Sequence, residues 1–154
     1  MPTIPNRSFR LPSALLLTIA AAFVSALAFA QSASLVAKDA WIRKPPAGET
    51  AAVYFVLENS GTKPITVVGV TSPVAESAMI HETSTVEGQS RMRMRDKVVV
   101  PAGKSVAFAP EGLHVMFVGF RYDVSVGDRV PLTLQLEDGG KLAISAVVRP
   151  LDAK

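Results

Sequence analysis

The chain has 154 residues, enough for one domain, and no cysteine, so neither a disulfide, a thiolate metal site nor a thiol nucleophile is available to it. Sixteen Lys and Arg stand against 13 Asp and Glu, a net charge of +3, and the basic residues are scattered. That excludes the clustered basic face a nucleic-acid binder needs.

The first thirty residues read as a targeting segment. Arg7 and Arg10 make a positive start, Ala14–Leu27 is uncharged and apolar, and Ala28-Phe29-Ala30 is a small-x-small cleavage site. This layout predicts a secretory signal peptide over 1–30, cut after Ala30, and export of 31–154 to the periplasm. A membrane anchor is the competing reading, but the apolar run is short for a span of about 20 residues. No cysteine follows the run to accept a lipid. Removing this leader takes away two arginines and no acid, leaving 14 basic and 13 acidic residues and no stable membrane anchor.

Short runs of β-formers follow: Leu35–Ile42, Ala51–Leu57, Ile65–Val70, Ser77–Glu82, Arg91–Arg95, Val98–Val100, Val106–Ala109, His114–Phe120, Val130–Leu136 and Leu142–Val148. Turn residues separate them, among them Asn59-Ser60-Gly61, Gly88, Pro101-Ala102-Gly103, Pro110-Glu111-Gly112 and Gly127-Asp128. Asp138-Gly139 is the best hairpin signal, read as a two-residue type I′ loop. Prolines 45, 64, 73, 101, 110 and 131 would break a long helix. The pattern predicts a single all-β domain, an antiparallel sandwich or barrel.

Chemistry concentrates in Met79–Met116. Both histidines, His81 and His114, lie there, with every methionine except the first: Met79, Met92, Met94 and Met116. Side chains two apart on a strand share a face. Met79 with His81, Met92 with Met94, and His114 with Met116 all have that spacing. Arg91-Met92-Arg93-Met94-Arg95 alternates strictly, which suits a strand with thioethers on one side and guanidinium groups on the other. A hairpin around Glu87-Gly88-Gln89 would bring His81 beside this strand.

Thioether is soft and imidazole borderline, so a mixed His/Met set favours Cu(I) over zinc, magnesium or calcium. Zinc would recruit thiolate or carboxylate, and a blue-copper centre needs cysteine. The residues alone also allow these methionines to be core filler and the histidines to be surface groups.

The spacing His81, ten residues, Met92, twenty-one residues, His114, one residue, Met116 resembles the PCu(A)C family of periplasmic copper chaperones. The likeness extends to Asp39-Ala40-Trp41-Ile42-Arg43 with Pro45-Pro46-Ala47-Gly48, to His81-Glu82-Thr83, to Pro101-Ala102-Gly103, to Gly112-Leu113-His114-Val115-Met116 and to Gly127-Asp128 before Val130-Pro131-Leu132. The resemblance implies a cupredoxin-like Greek-key antiparallel β-sandwich and one Cu(I) per chain, held by His81, Met92, His114 and Met116. It implies delivery of copper to the CuA site of cytochrome c oxidase, with an oxidase subunit as recipient and a Sco-type thioredoxin-like protein as helper.

Met94 departs from the family pattern, leaving a swap of ligand between Met92 and Met94 open. Otherwise Met79 and Met94 read as filler or as a layer that keeps water out. The His- and Met-rich C-terminal extension of some members is not expected after Arg149-Pro150-Leu151-Asp152-Ala153-Lys154. Release is expected at an exposed rim near His114-x-Met116, and Arg91, Arg93 and Arg95 either steer an acidic partner or form a solvated face. The alternatives are a periplasmic copper-buffering or resistance protein, or a metal-free β-sandwich interaction module. No paired-carboxylate signature and no G-x-S-x-G motif points to an enzyme.

Overall fold

A computed structural model describes residues 34–45 and 49–153. The predicted leader, its cleavage site and Pro46-Ala47-Gly48 lie outside them. Among the described residues ten strands form: β1 (Leu35–Arg43), β2 (Ala51–Asn59), β3 (Ile65–Thr71), β4 (Ala75–Val86), β5 (Gln89–Met94), β6 (Val98–Val100), β7 (Ser105–Phe108), β8 (Leu113–Phe120), β9 (Arg129–Leu136) and β10 (Lys141–Arg149). Each falls on one of the ten β-rich runs in the sequence.

The strands make one continuous ladder in the order β5-β4-β8-β7-β2-β1-β10-β9-β3-β6, with a further β8–β2 pairing. Near opposite ends of that order, β3 and β4 lie against each other, so the ladder folds over a shared core. Most pairings are antiparallel, but β1 runs parallel to β10 and β7 parallel to β8. The all-β fold read from the sequence is therefore present, with a mixed rather than wholly antiparallel ladder. Phe55, Phe108 and Phe117 fill the centre with Leu57, Leu132, Leu134 and Val67. Phe55 and Phe108 stack with ring centroids 4.4 Å apart. Each such side chain contributes about 1.5–3 kcal/mol on burial.

Two turns decide how the rest is placed. Val86 pairs with Gln89, and the intervening Glu87 and Gly88 both have positive φ, 53° and 77°. This is the two-residue I′ geometry, whose twist matches that of the strands it joins. The loop at Asp138-Gly139 was expected to have that form and does not. Leu136 N–H donates to Gly140 O, closing three residues, and only Gly139 has positive φ. Asp138 keeps ordinary φ and accepts the Gly140 N–H on its carboxylate at 2.8 Å. The loop is thus the three-residue kind, a turn followed by a left-handed glycine.

In β1 the register against β2 shifts between Lys38 and Trp41, one extra residue that puts Asp39 at φ 52°. Such a bulge swaps which side chains face inward. Leu35 is buried before it and Ile42 after it, while Trp41 lands on the outer face across from Tyr54.

Candidate metal centre

The outer face of β5, β4 and β8 carries the His and Met residues. Strand β4 is long, and its outer half pairs with β8 on one side and β5 on the other. His81 is directly opposite His114 on β8, and Met79 is opposite Met116. On the other side Met94 is opposite His81, and Met92 is opposite Thr83. Residues directly opposite in an antiparallel pair point to the same side. His81, Met92, His114 and Met116 therefore share one face of three neighbouring strands, with Met79 and Met94 among them.

The two imidazole rings meet edge-on, with centroids 5.9 Å apart and an interplanar angle of 78°. His114 is only 4% exposed. Its Nδ1–H donates to Gly112 O at 3.0 Å, which fixes the tautomer and leaves Nε2 with its lone pair. Metal-binding imidazoles commonly have this arrangement, one nitrogen tied to a carbonyl and the other free. Tyr54 packs beside His114, ring centroids 6.4 Å apart, and Trp41 packs tilted against Tyr54, centroids 4.6 Å apart at 41°. Beyond Trp41, Arg149 sits 5.0 Å from the indole centroid.

His81 is the less satisfied of the pair. Its Nδ1 is buried and has no hydrogen-bond partner. A buried imidazole nitrogen left unpaired costs about 1–3 kcal/mol, unless something else takes its lone pair. Burial, and then the neighbouring His114, push its pKa below the usual 6.5, so the neutral ring that can accept a metal persists to lower pH. Among the described residues no three His, Cys, Asp or Glu cluster. The centre has two imidazoles and thioethers and no carboxylate, the donor chemistry that suits Cu(I).

Exposure differs from the sequence expectation. The rim was placed near His114-x-Met116, but His114 is buried and Met116 half-buried. The exposed thioethers are on β5, Met92 at 53% and Met94 at 61%. The reason is topological: β8 lies inside the ladder, whereas β5 is an edge strand with every residue exposed. Met94 is thus not core filler. Met79, half-buried beside Met116, does fit a layer that limits water access. Of the three arginines, Arg95 pairs with Glu82 at 3.0 Å, and Glu82 is also opposite Arg93. Such an exposed pair contributes about 0–1 kcal/mol.

The backing of His114 by Tyr54 and Trp41 was not foreseen. It depends on the bulge at Asp39, and the only sequence signal was an Asp placed where a strand should continue.

Comparison with known proteins places these features in context. Residues 35–148 match the family described as "Putative lipoprotein LpqE-like". The "Putative lipoprotein Lxx21020" of Leifsonia xyli subsp. xyli is 31% identical over 120 residues, 77% of this chain and 72% of that protein. A solved structure described as "Copper-bound PCuAC domain from PmoF2" superposes with a TM-score of 0.63 and 27% identity, covering 76% of this chain and 93% of that domain. The solution structure of CuI-DR1885 from Deinococcus radiodurans superposes with a TM-score of 0.59 and 30% identity, covering 80% of this chain and 85% of that one.

Proposed function

The chain belongs to the LpqE-like family, with a fold of the PCuAC type, and from that premise we propose that it is an extracytoplasmic Cu(I)-binding chaperone. The observation that carries this reading is the His81–His114 pair. Two imidazoles face each other across neighbouring strands, one with Nδ1 tied to a carbonyl and the other with a buried unpaired nitrogen, amid thioethers on the same face. By the family spacing the ligands are His81, Met92, His114 and Met116. The solved copper-bound PCuAC domain of PmoF2 and the CuI form of DR1885 support Cu(I) as the ion.

The ligand chemistry suits a carrier. Neutral thioethers need no deprotonation to bind, and they withstand an oxidising compartment better than thiolates. The buried His114 holds the ion's inner side, while the exposed β5 methionines offer ligands that a recipient can replace one at a time. In this reading the signal peptide is cut after Ala30 and the mature protein acts in the periplasm. The matched family and the Leifsonia xyli relative are both described as "Putative lipoprotein", a description that fits action outside the cytoplasm. The copper goes to the CuA site of cytochrome c oxidase, with a Sco-type thioredoxin-like protein as partner.

A deletion strain tests delivery against buffering. Delivery predicts loss of oxidase activity at low copper, restored by added copper, with normal growth at high copper. Normal oxidase activity with impaired growth at high copper would instead make this a resistance protein.

A further inference from the structure

Strand β5 ends the ladder, pairing with β4 on one side and with no described strand on the other. The hairpin alternation tells which of its backbone groups are left over. Residues flanking a two-residue turn exchange both hydrogen bonds, and the next pair along exchanges none. Val86 and Gln89 are the flanking pair, which makes Ser84–Arg91 and Glu82–Arg93 bonded pairs as well. Arg95 N–H donates to Ile80 O at 2.8 Å, in step with that alternation. The N–H and C=O groups of Ser90, Met92 and Met94 therefore point away from β4, along the open edge. The thioethers of the copper-binding face and the unpaired backbone groups thus belong to the same residues.

The two ends of the ladder are built differently. At the far end β6 has three residues and stops at Pro101, a short edge that gives an added strand little to pair with. β5 has six residues, every one exposed, and no proline. Its other face carries Arg91 and Arg93, and Gln89–Met94 contains no acid. Glu82 is across from Arg93 but gives its carboxylate to Arg95. Neither Arg91 nor Arg93 has an ion pair among the described residues. An antiparallel second copy on this edge would set arginine against arginine, because opposite residues share a face, and like charges so placed are destabilising.

Resting on the copper-delivery reading above, we infer that β5 is the docking strand for an extended, acidic segment of the copper-accepting protein. That segment adds to the ladder beside β5. Backbone bonds to Ser90, Met92 and Met94 hold it, and side chains select it. On the arginine face it carries Asp or Glu at alternate positions, complementary to Arg91 and Arg93. On the other face its side chains stand directly across from Met92 and Met94, with Cβ atoms about 4.5–5.5 Å apart. A thioether or neutral imidazole of the recipient placed there replaces the Met92 thioether. One bond forms as one breaks, the ion remains Cu(I), and no proton moves.

The test uses the mature protein loaded with Cu(I) and, as probe, the soluble copper-free CuA domain of the oxidase in excess. Amide exchange followed by NMR reads the edge directly. Exchange at Ser90, Met92 and Met94 should slow about tenfold or more on adding the domain, while Arg91 and Arg93, already bonded to β4, change little. Copper transfer in stopped flow should slow about tenfold or more in the Arg91→Glu/Arg93→Glu variant, and the wild-type rate should fall with added salt. Cu(I) affinity against a chromogenic chelator should be unchanged in that variant, because neither arginine is a ligand. Transfer at the wild-type rate in the variant, or amides at 90, 92 and 94 that stay fast with the domain bound, would overturn the docking strand and leave delivery standing. Protection of those amides in the protein alone, rising with its concentration, would overturn it in favour of a second copy. A wild-type protein that gives no copper to the domain would overturn the delivery reading, and this proposal with it.

Discussion

At the scale of single residues, the histidine pair does two jobs that are separable by mutation. His114 is buried, tied to Gly112 O and packed beside Tyr54, so His114→Ala should both weaken Cu(I) binding and cost some stability. We expect a loss of about a hundredfold or more in affinity, since partners one step removed from a metal already cost 10–100-fold. Destabilisation should be about 1–3 kcal/mol in a urea melt of the apo-protein. An unchanged affinity would remove His114 from the ligand set. His81 governs the pH response. Its folded pKa is below 6.5, so between that folded value and about 6.5 the unfolded chain holds the extra proton. Stability of the apo-protein should therefore fall as pH drops below about 6.5, and His81→Gln should flatten that slope in melts between pH 7.5 and 4.5. Both histidines and all these methionines were legible in the sequence because same-face spacing of two is a property of strands alone. Which of them stay wet was not legible, because exposure depends on which strand ends the ladder.

At the scale of elements, the sequence located every strand but left the joints partly unread. The Glu87-Gly88 turn sets the β4–β5 register and so selects Met94 to face His81. The Asp39 bulge rotates Trp41 to the face that backs His114. The hairpin around Glu87-Gly88-Gln89 was read from its turn residues and is present; the bulge depends on no apolar pattern, which is why periodicity did not reveal it. A second joint was also silent. Asn59 is 2% exposed; its Nδ2 donates to Lys63 O at 2.8 Å and Val100 O at 3.1 Å, while Oδ1 accepts from Gly61 N–H at 3.0 Å. It was read only as a turn residue closing a strand. Asn59→Asp sets a carboxylate against two carbonyls with no hydrogen to give them. It should destabilise by about 2–4 kcal/mol in thermal or urea melts, with Cu(I) affinity per folded molecule retained. A change under about 0.5 kcal/mol would show that these loops are held by other contacts.

At the scale of the whole molecule, the division of labour follows from the order of strands. Phe55, Phe108, Phe117 and the leucines occupy the inside of the folded ladder, so its outer face is free to carry polar and soft ligands. The fold class was legible from strand count and turn chemistry. The two parallel pairings were not, since no local pattern reports which distant strands become neighbours. Placing β5 at the edge puts the exposed thioethers where a recipient can reach them, and that placement joins the binding chemistry to transfer. The most direct test of copper held by imidazole and thioether is X-ray absorption on the Cu(I)-loaded wild-type protein. Two nitrogen and two sulfur neighbours around one ion per chain are expected. A shell of nitrogen and oxygen without sulfur, or a protein that takes up no Cu(I), would contradict it.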